Sequence, residues 1–87
     1  MHRGLTVAVV VPAFNEARAI SRTLRGIPAW VDRVIVVDDA SHDGTTLLPQ
    51  RFGPRVEVVR HPTNRGVGSA IVSGYRRVLA LGLDLAA

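Results

Sequence analysis

The segment VIVVDDASHDGT, residues 34–45, joins a run of β-favouring residues to a cluster of three aspartates. Its apolar part is continuous, which is typical of a strand that is buried on both faces of a parallel sheet. Carboxylates this close together repel one another, so a plain turn gains nothing by collecting Asp38, Asp39 and Asp43. The segment therefore predicts both a buried parallel strand and a site at the carboxyl end of that strand.

Apolar runs and amphipathic segments alternate along the rest of the chain. Continuous apolar runs predict four strands, at residues 5–11, 33–37, 55–59 and 83–87. Helical spacing predicts helices between them, at residues 16–27, 45–52 and 66–81. This alternation predicts an α/β fold with a Rossmann-like parallel sheet in the order 3-2-1-4 and flanking helices.

Such a sheet binds ligands beyond the carboxyl ends of its strands, near the point where the strand order reverses. Two segments leave those ends on neighbouring strands, PAFNE at 12–16 and DDASHDG at 38–44. A carboxylate there accepts hydrogen bonds from a nucleobase N–H or from ribose hydroxyls, and the Phe14 ring offers a face to a base. The residues thus favour a nucleoside pocket. The alternative is that Phe14 belongs to the core and Asp38 caps a helix.

The acidic segment also has metal-binding interpretations. It opens like an EF-hand loop at Asp39, but Gln50 stands where that loop requires a bidentate glutamate, so we predict no calcium site. A site built on the aspartates with His42 and His61 has suitable residue types, yet no spacing places both histidines on one face. We interpret the two histidines as surface turn residues.

The segment NRGVGSAIVSG, residues 64–74, resembles a phosphate-binding loop that opens a helix. It follows the third strand instead of the first, and Ile71 stands where the dinucleotide fingerprint requires a third glycine. A dinucleotide site is therefore not expected. We interpret the glycines as a sign of close packing where the helix starts.

Composition limits the remaining classes. The chain has 87 residues, 47% of them apolar, and no cysteine, which suits at most one small packed domain. Its net charge of +4 arises from eleven scattered arginines without interleaved aromatic residues, so we expect no nucleic-acid binding. No stretch approaches the roughly 20 apolar residues of a membrane span, and we expect a soluble, cytoplasmic chain.

Three segments carry a resemblance to a known family: VVVPAFNEARAI, VDRVIVVDDASHDGT and HPTNRGVGSAIVSGYRRVLALGLDL. In this order they resemble the amino-terminal half of a family 2 glycosyltransferase with the GT-A fold. The most similar subgroup is that of polyprenol-phosphate (dolichol-phosphate) mannosyl- and glucosyltransferases. The resemblance implies inverting transfer of a sugar from a GDP- or UDP-sugar donor to an acceptor, with a polyprenyl phosphate as the expected lipid-phosphate acceptor.

The resemblance also implies which residues contact the nucleotide. These are Pro12, Ala13, Phe14, Glu16, Val37, Asp38 and Asp39. Asp39 is expected to accept from the base N–H, Glu16 to lie near the ribose or the base edge, and Asp38 to support the turn. Asp43 would cap the helix that follows. One departure is Ala40, which stands where the family usually has glycine.

The family's metal-binding Asp-x-Asp motif is expected just past Ala87, and the acceptor-binding half is missing. We therefore expect residues 1–87 to be a partial nucleotide-sugar-binding domain that is inactive alone and binds no metal, whereas the full-length enzyme uses Mg²⁺ or Mn²⁺ at the cytoplasmic face of a membrane. An open sheet edge beside the first strand predicts self-association. The alternative function is that of a non-enzymatic α/β module that binds a nucleotide or a partner chain.

Overall fold

Four parallel strands form one sheet in the order β3-β2-β1-β4 in the computed structural model, which describes residues 3–15, 17–41 and 51–86. The elements are β1 (Val7–Ala13), α1 (Ala17–Gly26), β2 (Arg33–Asp39), β3 (Val56–His61), α2 (Val67–Ala80) and β4 (Leu85–Ala86). The pairings of β1 with β2, β2 with β3, and β1 with β4 are all parallel. The predicted α/β fold and strand order are confirmed.

The two central strands owe their burial to helices on both faces of the sheet. In β2, Val34 and Val36 pack in a cluster with Ile20 and Leu24 of α1. The alternate residues of β2 point to the other face, where Ile35 and Val37 pack with Ala70 and Val78 of α2. This two-sided cover explains why the apolar run of β2 is continuous. Within the described residues neither helix is long and apolar enough to span a bilayer.

Strand β1 continues through Pro12 to Ala13, past the predicted end at residue 11. Proline lacks the N–H that a central strand needs. Strand β4, however, pairs only with Val7 and Ala8, so among the described residues Pro12 has a neighbouring strand on one side only. The helix predicted at 45–52 lies, except for residues 51–52, outside the described residues.

Close contact between α2 and the sheet is made at Gly74. A Cβ at this position would overlap the side chain of Val10, whereas a Cβ at Gly66 or Gly68 would meet nothing within 4 Å. The predicted close packing of the glycine-rich helix start is therefore wrong for Gly66 and Gly68. Gly66 instead has a φ of 89°, a backbone conformation that favours glycine.

Aspartates connect the loops at the amino ends of the strands. Asp84 Oδ2 accepts from Thr6 N at 2.8 Å and from Thr6 Oγ1 at 2.8 Å. Asp32 Oδ2 accepts from Val7 N at 2.8 Å. At the β3 edge of the sheet, the guanidinium of Arg77 on α2 donates to both carboxylate oxygens of Glu57, one of them at 2.9 Å.

Candidate functional site

A cavity of about 280 Å³ lies at the carboxyl ends of β1 and β2. The described residues that line it are Pro12, Ala13, Phe14, Asp39, Val67 and Ala70. Phe14 follows β1 directly and its residue surface is 41% exposed, so the alternative that placed its ring in the core is wrong. The first turns of α2 form the facing wall. An aromatic face and a carboxylate thus border one cavity at the end of the sheet where ligands of this fold bind.

Asp39 is the polar residue of this cavity, and it is only 4% exposed. Its Oδ1 accepts from His61 Nδ1 at 2.8 Å and from Arg65 N at 2.8 Å. Its Oδ2 accepts from Gly66 N at 2.8 Å and more weakly from Arg65 N at 3.1 Å. Asp39 therefore fastens the loop between β3 and α2 to the end of β2.

These hydrogen bonds set the charge of the site. The bond from His61 holds the pKa of Asp39 below the ordinary aspartate value, burial opposes this shift, and the backbone N–H groups of Arg65 and Gly66 lower the pKa further. Asp39 is thus ionised at neutral pH and can only accept hydrogen bonds. A ligand that binds it must offer a donor.

His61 ends β3 and is 4% exposed, so its prediction as a surface turn residue is wrong. The parallel register of β2 and β3 places it opposite Asp39. Its Nε2 lies 2.8 Å from Ser73 Oγ on α2, which gives both ring nitrogens a partner. The third strand was predicted to end at residue 59, so the sequence did not predict that His61 pairs with Asp39.

The described residues do not fit a divalent-metal site. They contain no group of three or more histidine, cysteine, aspartate or glutamate side chains that could hold an ion. Asp39 and His61 do meet, but as partners in a hydrogen bond. His42, the other histidine of the metal interpretation, lies outside the described residues.

Asp38 is fully buried and points to the opposite face of the sheet from Asp39. Its Oδ1 accepts from Ser41 N at 3.0 Å, and its Oδ2 lies 3.7 Å from Arg60 Nε. This contact supports the turn after β2, in which Ala40 has a φ of 66°. Ser41 Oγ then accepts from Asn15 N at 2.8 Å and links this turn to the loop after β1.

The structure thus brings four of the seven predicted nucleotide residues to the cavity: Pro12, Ala13, Phe14 and Asp39. Asp38 and Val37 are not among the described residues that line it. Asp38 faces away, and Val37 is covered by α2 in the cluster that contains Ala70. Glu16 and the predicted helix cap Asp43 lie outside the described residues.

Val67 and Ala70 also line the cavity, and the sequence did not single them out for this role. Both fall on the apolar stripe of α2, but the stripe alone does not indicate that its first turn reaches past the end of the sheet. That placement follows from the loop held by Asp39 and from the contact between Gly74 and Val10.

Comparison with known proteins identifies relatives over most of the chain. Residues 8–80 match the family described as Glycosyl transferase family 2. An undecaprenyl-phosphate mannosyltransferase of Micrococcus luteus is 34% identical, over 93% of this chain and 35% of its own length. A UDP-N-acetylglucosamine–dolichyl-phosphate N-acetylglucosaminyltransferase of Methanococcus voltae is 26% identical, over 92% of this chain and 38% of its own length.

Among solved structures, the fold matches a mannosyltransferase from Pyrobaculum calidifontis in complex with GDP-Man and Mn²⁺. The TM-score is 0.74 at 31% sequence identity, and the match covers 84% of this chain and 24% of that one. The predicted glycosyltransferase fold and the resemblance to polyprenol-phosphate sugar transferases are confirmed. The chain spans between 30% and 38% of the length of the first curated relatives it matches.

Proposed function

This chain belongs to glycosyl transferase family 2, and we propose that it binds the nucleoside of a GDP- or UDP-linked sugar donor in the cavity between Phe14 and Asp39. One observation carries the proposal: an exposed aromatic ring and an ionised, buried carboxylate border the same cavity at the carboxyl ends of neighbouring parallel strands. The base lies against the Phe14 ring and donates its N–H to Asp39.

The hydrogen-bonding capacity of Asp39 supports this role. A carboxylate offers about four acceptor positions. Three donors of the protein use it, namely His61 Nδ1 and the backbone N–H groups of Arg65 and Gly66. The Arg65 N–H is shared between the two oxygens, at 2.8 Å to Oδ1 and 3.1 Å to Oδ2. A further N–H can bind Oδ2 in place of that longer contact, which matches the single ring N–H of guanine or uracil. Adenine and cytosine present an unprotonated ring nitrogen in that place, and its lone pair would face the carboxylate.

The size of the cavity suits the nucleoside but not the whole sugar nucleotide. At about 280 Å³, the cavity is slightly below the range of roughly 300–1,000 Å³ for sites that enclose small molecules. We therefore assign only the nucleoside to it, with the diphosphate and the sugar extending outwards. Val37 supports the site by packing in the core beneath it. Asp38 supports it by holding the turn after β2. Glu16 is proposed to lie near the ribose or the base edge.

For the whole protein we propose transfer of the sugar to a polyprenyl phosphate at the face of a membrane, in line with the lipid-phosphate acceptors in the names of two relatives. In an inverting reaction an acceptor oxygen forms the new bond to the sugar C1 as the nucleoside diphosphate leaves. A divalent metal would neutralise that leaving group, as Mg²⁺ and Mn²⁺ do in phosphoryl chemistry. Because the described residues do not fit such a site, we assign them nucleotide binding without transfer.

Isothermal titration of the 87-residue chain with GDP, UDP, ADP and CDP tests the proposal. We expect GDP or UDP to bind at least about tenfold more tightly than ADP and CDP, because only the former pair donates a ring N–H to Asp39. Phe14→Ala should weaken binding of the preferred nucleotide by roughly tenfold through loss of the stacking surface.

Tyr75→Ala is the matched control, because Tyr75 is 43% exposed, much like Phe14, but lies on α2 outside the cavity-lining set. It should leave nucleotide affinity unchanged. Equal binding of all four nucleotides, or equal effects of the two substitutions, would contradict the proposal and favour the non-enzymatic module.

A further inference from the structure

We infer that His61, held in turn by Ser73, is a positioning residue that orients the Asp39 carboxylate toward the nucleobase. The inference rests on the proposed function of the cavity. It concerns a chain of three side chains from three elements, in which Ser73 on α2 meets His61 on β3 and His61 meets Asp39 on β2. Both of its hydrogen bonds measure 2.8 Å.

The partners of His61 define its tautomer. Asp39 is ionised and can only accept, so Nδ1 carries the hydrogen in the bond between them. In the neutral ring Nε2 is then an acceptor, and the Ser73 hydroxyl donates to it. Asp39 thus sets the tautomer, and Ser73, whose hydroxyl can donate or accept, fixes the plane of the ring.

His61 and the loop amides together leave Asp39 little freedom. The N–H of Gly66 holds Oδ2, the N–H of Arg65 lies between the two oxygens, and His61 holds Oδ1. The carboxylate plane cannot turn without breaking at least one of these bonds. Without His61, Oδ1 keeps only its bond to Arg65, and the direction in which Oδ2 faces the base is no longer defined.

The amino end of the sheet indicates that a histidine is not needed merely to fasten a loop. There Asp84 joins two segments with the backbone and hydroxyl groups of Thr6, and Asp32 accepts from Val7 N. Backbone donors also hold the β3–α2 loop at Asp39. Of these three carboxylates, Asp39 lines a described cavity, and it is the one that the buried imidazole orients.

The order serine, histidine, aspartate also occurs in hydrolytic triads. Those sites need free backbone N–H groups beside the serine to stabilise an oxyanion. Ser73 lies in the interior of α2, where backbone N–H groups donate to carbonyls of the preceding turn. We therefore assign Ser73 the role of a partner to His61 and no nucleophilic role.

The experiment compares nucleotides with analogues that lack the ring N–H. Dissociation constants are measured for GDP with 1-methyl-GDP and for UDP with 3-methyl-UDP, on the wild-type chain, His61→Ala, His61→Asn, Ser73→Ala and the control Ser69→Ala. The preference for the unmethylated nucleotide isolates the bond to Asp39. General damage to the fold weakens both members of a pair and leaves the preference unchanged.

We expect His61→Ala to reduce this preference by roughly tenfold, the scale of one hydrogen bond to a charged group. His61→Asn should restore part of it, because the amide nitrogen of asparagine reaches the position of Nδ1 and donates there. Ser73→Ala should reduce the preference about threefold, because the ring is then less well fixed. Ser69, exposed one turn earlier on α2, should have no effect.

The outcomes separate the two hypotheses. A wild-type preference that is unchanged in folded His61→Ala would overturn the inference and leave the proposed function intact. A wild-type chain without any preference would overturn the proposed function, and the inference with it. Should His61→Ala fail to fold by circular dichroism, the Ser73→Ala and His61→Asn results decide, and a full preference in both would overturn the inference.

Discussion

Asp39 at the carboxyl end of the sheet and Asp84 at its amino end both bind backbone N–H groups of another segment. Asp84, which is exposed, accepts from the backbone and the hydroxyl of Thr6. Asp39 is buried, accepts from two loop amides and an imidazole, and borders a cavity. Loop fastening therefore does not distinguish a binding site from a structural contact. What distinguishes Asp39 is its burial at a cavity that an exposed aromatic ring also borders.

The largest expected difference between the two carboxylates is in nucleotide affinity. Asp39→Ala should weaken binding of the preferred GDP or UDP by roughly a hundredfold, because it removes a charged acceptor and releases the loop that positions the first turns of α2. Asp84→Ala should leave affinity within about twofold, since its contacts lie at the far end of the sheet. Isothermal titration measures both. A similar loss of affinity in the two variants would contradict a binding role that is specific to Asp39.

Both carboxylates should make the stability of the chain depend on pH in the acid range. Hydrogen bonds lower the pKa of both, from His61 first at Asp39 and from the backbone of Thr6 first at Asp84. Since both folded-state pKa values lie below the ordinary value of about 3.9, each contributes stability that is present above about pH 4 and lost as pH falls through the folded-state pKa.

Thermal melts between about pH 2 and pH 6 test this sign. Asp39→Asn and Asp84→Asn should each reduce the fall in Tm that occurs as the pH is lowered. The rise in Tm caused by GDP or UDP should vanish only in Asp39→Asn. If Tm falls with pH in both variants as steeply as in the wild type, the hydrogen bonds of these carboxylates do not lower their pKa values.

The turns at the two ends of β2 should tolerate side chains differently. Ala40, after β2, is buried and has a φ of 66°, whereas Ala29, in the turn before β2, is exposed and has no positive φ. Ala40→Val should destabilise the chain by about 2 kcal/mol, because a β-branched residue is strained in the left-handed region. Ala29→Val should change the free energy of unfolding by less than about 0.5 kcal/mol. Urea titration measures both, and equal effects would contradict the account of the turn.

The smallest expected effect concerns the two halves of β1. Its amino half pairs with β4 at Val7 and Ala8, and from Val9 onward no described strand lies on that side. We propose weak self-association through this edge, because unpaired strand groups accept a further strand. Sedimentation velocity should show an average mass that rises with concentration. A monomer at every concentration would contradict this proposal.

Much of the fold was predictable because the signals were local. The continuous run of β2 indicated burial on both faces, and the alternation of elements with the rule for right-handed crossovers led to the strand order. The pairing of Phe14 with Asp39 around one cavity followed from their positions at the ends of neighbouring strands.

What the sequence did not indicate depends on register and helix placement. Arg60 and His61 are polar and look like the end of a strand, yet the parallel ladder with β2 continues through them and puts His61 against Asp39. Val37 has the same side-chain direction as Asp39, but α2 covers it, since Gly74 allows the helix to approach Val10. Neither outcome can be read from the spacing of residues within one element.

Backbone amide chemical shifts of the isotope-labelled chain, recorded during titration with GDP and with UDP, test the central claim most directly. The account predicts saturable shifts at Phe14, Asp39 and Gly66 and none at Thr6 or Asp84. Shifts confined to the amino end of the sheet, or no shift at the carboxyl end with either nucleotide, would contradict it.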